Sequence, residues 1–185
     1  GTFCIEAAMM ARQIAPGLRR TFSFEDWNWV DDRLIQEVRT EATKKINRDL
    51  VLDIMGTDID ARMVEIAKEN AQKAGVASDI TFKQMRVQDL RSDKINGVII
   101  SNPPYGERLS DDAGVTKLYA EMGEVLAPLK TWSKFILTSD ENFEKKFGRQ
   151  ADKKRKLYNG TLKVDLYQFF GERVRRQATS EKGNI

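Results

Sequence analysis

The residues best suited to chemistry in this chain are Asn102-Pro103-Pro104-Tyr105, which follow the apolar run Gly97-Val98-Ile99-Ile100 and Ser101. A short β-branched run ending in Asn-Pro-Pro reads as a buried strand that stops abruptly, because proline cannot continue a central strand. In open α/β sheets, ligands bind beyond the carboxyl ends of the strands. At such a position Asn102 Oδ1 and the Pro103 carbonyl can each accept a hydrogen from one amino group. The prolines fix φ and hold both acceptors in place. Tyr105 offers a ring on which a flat base could stack. The set suits a nucleobase whose exocyclic amine is to be alkylated.

Two acids precede this loop in a fixed order. Asp58 ends the predicted strand Leu52–Thr57, where a carboxylate in a nucleotide-binding sheet typically accepts hydrogen bonds from ribose hydroxyls. Asp89 follows the next predicted strand, Ile80–Lys83, where a short acidic side chain could receive the amine of an adenine ring. Asp60 is read as a helix cap and given no ligand. Each Asp alone is an ordinary turn residue. An acid after one strand, an acid after the next and Asn-Pro-Pro-Tyr after a third is an order that chance rarely supplies.

The elements that must carry these residues alternate. Phe3–Met10 is apolar almost all round and reads as a buried helix, with Thr2 as its N-cap and Ala15-Pro16-Gly17 as its stop. Helices are predicted near Asp32–Ile46, from Asp60 to Gly75, near Gly114–Ala127 and over Glu141–Phe147. Further strands are predicted at Val98–Ser101 and Phe135–Thr138. Asn159-Gly160 is a two-residue hairpin signal between Lys156-Leu157-Tyr158 and Leu162–Tyr167. This pattern implies an α/β fold with a mostly parallel, doubly wound sheet and an antiparallel C-terminal hairpin.

Composition removes several function classes. The 185 residues are 41% hydrophobic, enough for one sizeable core. A net charge of +3 does not by itself indicate nucleic acid. With no histidine and one cysteine, Ser-His and Cys-His nucleophiles, Cys-cluster metal sites and the usual general base are all excluded. No metal is expected, and no apolar run suits a membrane span. The single thiol fits a reducing cytoplasm, the expected location. Cys4 lies in the first apolar helix, away from the Asn102 loop, which argues against a thiolate mechanism at C5 of a pyrimidine.

Taken together, Thr57-Asp58-Ile59-Asp60, Gln88-Asp89 and Asn102-Pro103-Pro104-Tyr105-Gly106-Glu107-Arg108-Leu109 resemble successive motifs of class I S-adenosylmethionine-dependent methyltransferases. Gly1-Thr2-Phe3-Cys4-Ile5-Glu6-Ala7-Ala8 is similar to the end of their glycine-rich cofactor loop and the helix behind it. The octet, with Phe24-Glu25-Asp26-Trp27-Asn28-Trp29, resembles the THUMP-associated RNA methyltransferases. Their best-known bacterial members methylate guanine N2 of large-subunit ribosomal RNA, and many relatives are labelled N6-adenine DNA methylases. The resemblance implies a Rossmann-like fold and S-adenosylmethionine as cofactor, contacted by Gly1, Thr2, Asp58, Ile59, Gln88, Asp89 and Asn102. It implies a substrate loop of Asn102, Pro103, Pro104 and Tyr105. Ribosomal RNA, 23S in bacteria, is the implied partner. Guanine-N2 methylation is the leading reading, adenine-N6 methylation the second, and a non-catalytic binding module the third.

The domain is expected over residues 1–172, with an inserted segment at about 17–48 and a polar tail at 173–185. Because the chain begins inside the first motif, its first sheet strand and an upstream THUMP domain are expected to lie elsewhere. The chain is accordingly read as a fragment or processed product whose donor half is incomplete alone. Trp27 and Trp29 are read as packing within the insert, and Glu6 as a helix-dipole partner with a secondary claim on the cofactor. Lys153-Lys154-Arg155-Lys156 reads either as an RNA-tracking patch or as an edge strand blunted by lysines. Arg108 is equally suited to a phosphate or to solvent.

Overall fold

A computed structural model describes residues 1–105 and 112–173. Gly106 to Leu109 of the octet, including Arg108, and the tail beyond residue 173 lie outside the described residues. The chain divides into two compact units, Gly1–Arg86 and Val87 onward.

The first unit carries α1 (Thr2–Ala11), α2 (Asp32–Lys44), β1 (Ile54–Asp58), α3 (Ala61–Ala74) and β2 (Ile80–Gln84). β1 and β2 pair in parallel, from Ile54 opposite Ile80 to Asp58 opposite Gln84. The local signals around α3 act as the sequence predicts. Asp60 Oδ1 accepts the Arg62 N–H at 2.8 Å, and Gly75 closes the helix at φ 76°. Ala8, Ala71, Val76 and Ile80 form the core, where α1 and α3 lie on the sheet.

The α1 expectations need correction. Gly1, not Thr2, is the N-cap; Thr2 is already helical and no side chain caps the first turn. Only Ala8 is buried, while Phe3 and Met10 are 46% and 77% exposed. A helix resting on one surface buries one stripe, whatever its other faces carry. Glu6 falls beyond the first turn, where the dipole has faded.

Two arginines tie the long α1–β1 connection together. Arg12 donates from Nε to Asp79 Oδ2 at 2.5 Å and from Nη2 to Oδ1, and also to the carbonyls of Asn47, Arg48 and Leu50. Arg39 of α2 donates to the carbonyls of Leu18 and Arg20 and to Glu25 Oε1. The segment they hold presents a ladder of rings, Phe22–Phe24–Trp27–Trp29, with successive centroids 5.9, 6.4 and 5.2 Å apart. Trp27 and Trp29 are 50% and 78% exposed. They pack on each other and not into the core, because Arg39 and Glu25 hold the loop by polar contacts along its backbone.

The second unit carries β3 (Val98–Ser101), α4 (Asp112–Leu126), β4 (Ser133–Thr138), α5 (Phe143–Phe147), β5 (Lys153–Asn159) and β6 (Leu162–Phe169). Its sheet has the order β3-β4-β6-β5. β3 and β4 are parallel, and β6 runs antiparallel to both β4 and β5. The hairpin turns one residue later than expected. Asn159 still pairs with Leu162, so the loop is Gly160-Thr161, with Gly160 at φ 62°. A turn with glycine at its first loop position matches strand twist in the II′ manner and leaves Asn159 in the ladder.

The core of this unit is aromatic. Phe143 meets Tyr119 at 4.9 Å, Tyr167 at 4.7 Å and Phe147 at 5.0 Å between centroids. Burying each such ring contributes roughly 1.5–3 kcal/mol. A Cβ on Gly123 would stand 2.0 Å from the Phe147 carbonyl oxygen, so the approach of α4 to α5 requires glycine there. Lys134 on β4 is 3% exposed and donates to the Leu129 carbonyl at 2.5 Å, just past the end of α4. Burial lowers the pKa of its ammonium.

Candidate functional site

Within the first unit, β1 delivers Asp58 at its carboxyl end. Asp58 Oδ1 accepts the backbone N–H of Asp60 at 2.9 Å, which turns the chain into α3. Its other oxygen has no partner among the described residues, and the side chain is exposed. The Asp58 carbonyl accepts the Met85 N–H at 2.9 Å, and Gln84 Nε2 donates to the Ile59 carbonyl at 3.0 Å. The strand end is therefore braced by β2, while the Ile59 side chain stays 64% exposed. A carboxylate with one oxygen unpartnered among the described residues, followed by an exposed aliphatic side chain, suits a ribose diol and an apolar ring.

Gly1 lies in the same unit. A Cβ there would stand 2.6 Å from Ala67 Cβ and 3.2 Å from Phe82 Cε1. The same Phe82 atom would stand 2.6 Å from a Cβ on Gly56, in the middle of β1. One ring thus packs between the start of α1 and β1, and both contacts require glycine. Gly1 and Thr2 are exposed and open the helix, where free N–H groups point outward. Cys4 Sγ faces the Met55 carbonyl at 3.7 Å, and burial raises its pKa. A thiol in that state is a poor nucleophile.

Within the second unit, a short turn over Val87–Asp89 holds the next pair. Gln88 Nε2 donates to Glu121 Oε2 of α4, so its amide is engaged inside the protein. Asp89 is exposed and unpartnered among the described residues. β3 ends at Ser101, opposite Ile136 of β4, and Asn102 leaves the sheet at that edge. The Asn102 side chain is exposed and accepts no hydrogen bond from the described residues, whereas Pro103 is buried.

The proline carbonyls differ. That of Pro104 accepts the Tyr119 hydroxyl at 3.3 Å; that of Pro103 has no donor among the described residues. Tyr119 is fully buried, and its oxygen also lies 2.9 Å from Thr138 Oγ1 at the end of β4. Thr138 Oγ1 accepts the Asp140 N–H at 3.1 Å, and Tyr167 donates to the Asp140 carbonyl at 3.1 Å. Burial raises the Tyr119 pKa, with the Thr138 contact opposing it, so the phenol stays a neutral donor. The unengaged acceptors, Asn102 Oδ1 and the Pro103 carbonyl, are the pair that the sequence singles out for an amine.

Tyr105 differs from the sequence expectation. It is 8% exposed, so its ring packs into the unit and is not an open stacking platform in this structure. Sequence reasoning missed Tyr119, Thr138, Gln84 and Glu121, which hold the loops and touch no predicted ligand. The four-residue spacing of Val115, Tyr119 and the following Gly123 marks a core face of α4, but not what a phenol on that face would meet.

The sequence-predicted residues fall into two groups. Gly1, Thr2, Asp58 and Ile59 belong to the first unit; Gln88, Asp89 and Asn102–Tyr105 belong to the second, where both segments are bonded to α4. Among the described residues no His, Cys, Asp and Glu cluster could hold a metal, and no helix is long and apolar enough to cross a membrane.

Residues 1–168 match a family model described as "RMKL-like, methyltransferase domain". The chain is 50% identical over 180 residues to "Putative RNA methyltransferase YpsC" of Bacillus subtilis, covering 97% of this chain and 47% of that protein. It is 38% identical over 169 residues to "Ribosomal RNA large subunit methyltransferase K/L" of Legionella pneumophila, covering 90% of this chain and 24% of that protein. A crystal structure described as "SMU.472, a putative methyltransferase complexed with SAH" superposes with a TM-score of 0.91 at 63% identity. That match covers 95% of this chain and 46% of the solved one. The chain therefore spans less than half the length of these relatives.

Proposed function

The chain belongs to the RMKL-like methyltransferase family, and on that premise we propose that it methylates the exocyclic amine of a nucleobase in RNA, using S-adenosylmethionine. The base we assign is guanine, at N2, in large-subunit ribosomal RNA. The observation that carries this reading is the pair of unengaged acceptors at the end of β3, beside a Pro104 carbonyl already taken by Tyr119.

The donor side fits the cofactor. In the first unit Asp58 has one carboxylate oxygen with no partner among the described residues, suited to a ribose diol, and Ile59 exposes an aliphatic face; in the second unit Asp89 has no partner among the described residues and suits an adenine amine. Gly1 and Thr2 present helix N–H groups. Gln88 would contribute through its backbone, since its amide is held by Glu121. When bound, the cofactor supplies an already activated sulfonium methyl group.

The chain's own residues do the positioning. Asn102 Oδ1 and the Pro103 carbonyl accept the two amine hydrogens and leave the nitrogen lone pair directed away from both. Net hydrogen-bond contributions are about 1 kcal/mol each, so the gain is orientation more than affinity. No imidazole is required, in keeping with a chain that has no histidine. The base must be unpaired or flipped to reach the loop, at a cost of a few kcal/mol.

The test is to supply the full-length protein with ribosomal RNA and methyl-labelled cofactor, digest the product and identify the modified nucleoside. N2-methylguanosine is expected. N6-methyladenosine alone would overturn the guanine assignment and favour the adenine reading. No transfer to any RNA, with cofactor still bound, would leave a binding module.

A further inference from the structure

We propose that the β5–β6 hairpin is a phosphate-tracking ribbon that holds single-stranded RNA, with Lys153, Arg155 and Lys156 on the backbone and Tyr158 under a base. The proposal rests on the reading of the chain as an RNA methyltransferase.

β5 is the outermost strand of its sheet and is bonded only to β6. Its residues Lys153-Lys154-Arg155-Lys156 are all exposed. Two cations of the hairpin are already neutralised. Lys154 Nζ lies 3.3 Å from Asp165 and 4.7 Å above the Tyr167 ring, and Lys163 Nζ lies 2.9 Å from Glu141. Lys153 and Arg155 have no acid and no hydrogen bond among the described residues, whereas Lys156 lies in the field of Glu141 without bonding to it. The ribbon's five cations against Asp165 and Glu141 leave a charge of +3, equal to the formal net charge of the whole chain.

Protection of an exposed strand edge needs a lysine or two, and Lys154 already provides one on β5. Lys153 and Arg155 stand on the other side of the strand from Lys154 and have no acid among the described residues, so edge protection alone does not account for the run. Side chains alternate along a strand, placing Lys153 and Arg155 on one side and Lys156 and Tyr158 on the other. The two-residue repeat of about 7 Å is of the order of the spacing between successive phosphates. At the hairpin tip Tyr158 is 68% exposed and sits opposite Lys163. Tyr158 shares its side of the strand with Lys154 and Lys156, and a ring beside cations favours a nucleic-acid strand over an acidic peptide, which would use the charges but not the ring.

The experiment follows binding of a fluorescent single-stranded RNA to the full-length protein by anisotropy, across a salt series. Each phosphate contact to a single strand contributes about 0.7 to the slope of log K against log salt. The triple variant K153Q/R155Q/K156Q should lower that slope by about 2 and weaken binding at least tenfold at low salt. The charge-keeping K153R/R155K/K156R should retain the slope. Tyr158→Ala should weaken binding about 5-fold or more without moving the slope. Cofactor binding by calorimetry confirms folding; if the triple variant fails that control, R155Q and K156Q singly should each lower the slope by about 0.7.

An unchanged slope in these variants overturns the ribbon, as does displacement of the RNA by polyglutamate at equal charge concentration. Methyl transfer is read in parallel. Normal transfer with an unchanged slope defeats the ribbon alone. A ribbon-dependent slope without transfer to any RNA defeats the enzymatic reading alone.

Discussion

The Tyr119 hydroxyl lies 3.3 Å from the Pro104 carbonyl, so a buried phenol in the middle of α4 holds the loop that β3 delivers. The same oxygen reaches Thr138 at 2.9 Å, tying the loop to the end of β4 as well. The anchor takes one proline carbonyl and leaves the other free. Removing the phenol should disturb orientation at Asn102 before it disturbs binding elsewhere.

Tyr119→Phe is therefore expected to lower kcat roughly tenfold, or about 1.4 kcal/mol of barrier, with the KM for the methyl donor unchanged. It strands the Pro104 carbonyl, while Thr138 Oγ1 keeps the Asp140 N–H, so the urea midpoint should fall by the equivalent of about 1–3 kcal/mol. Steady-state kinetics and urea melts check both. A fall in stability with kcat intact would make Tyr119 a core residue only.

Asn102→Ala should abolish turnover while the affinity for S-adenosylmethionine stays within a few-fold. The side chain is exposed and makes no hydrogen bond to the described residues, so its loss costs the fold little. Single-turnover methyl transfer and calorimetry on the same preparation separate the two effects. Loss of both would point to misfolding.

Asp58→Ala should weaken cofactor binding at least tenfold, since hydrogen bonds to a charged group are worth about 1.5–3 kcal/mol. Its one side-chain bond among the described residues, from the Asp60 N–H, is exposed, so the melting temperature should move little. Calorimetric titration with S-adenosylmethionine gives the result. An unchanged dissociation constant would remove Asp58 from the cofactor site.

Acid stability should depend on Asp79. Hydrogen bonds from Arg12 hold its carboxyl below the ordinary value, with burial opposing them. A lowered folded-state pKa contributes stability that is complete above the unfolded value, about 3.9. That stability is lost as pH falls through the folded value. Melting temperatures measured from pH 6 downward should fall more steeply below pH 4 in the native protein than in Asp79→Asn. The variant should already melt lower at pH 6, and parallel curves would show that the pair is not the titrating contact.

Much of the local architecture is legible in the sequence. Asp60 and Gly75 bracket α3 because capping and left-handed closure are properties of single residues and their immediate neighbours. Val98–Ser101 is a strand with the boundaries that its β-branched run and the following Asn-Pro-Pro imply, but it is not the buried strand expected, since Val98 and Ile100 are 60% and 49% exposed. The hairpin is displaced by one residue because Asn-Gly and Gly-Thr both make acceptable loops, and cross-strand pairing decides between them. α1 misleads because an apolar circumference does not state which stripe will find a neighbour. Tyr105 misleads because a motif names an aromatic ring but not the direction in which the chain turns it.

The order of chemistry along the chain was determined by sequence alone: Asp58 after one strand, Asp89 after the next and Asn102-Pro103-Pro104-Tyr105 after a third. That order depends on strand periodicity and turn residues, which act over a few positions. Tertiary structure decided which acceptors stay free. Tyr119 claims the Pro104 carbonyl, Gln88 is drawn to Glu121, and Arg12 reaches across 67 residues to Asp79. Such contacts join residues far apart in the chain and depend on how whole helices and sheets pack, so no local pattern announces them.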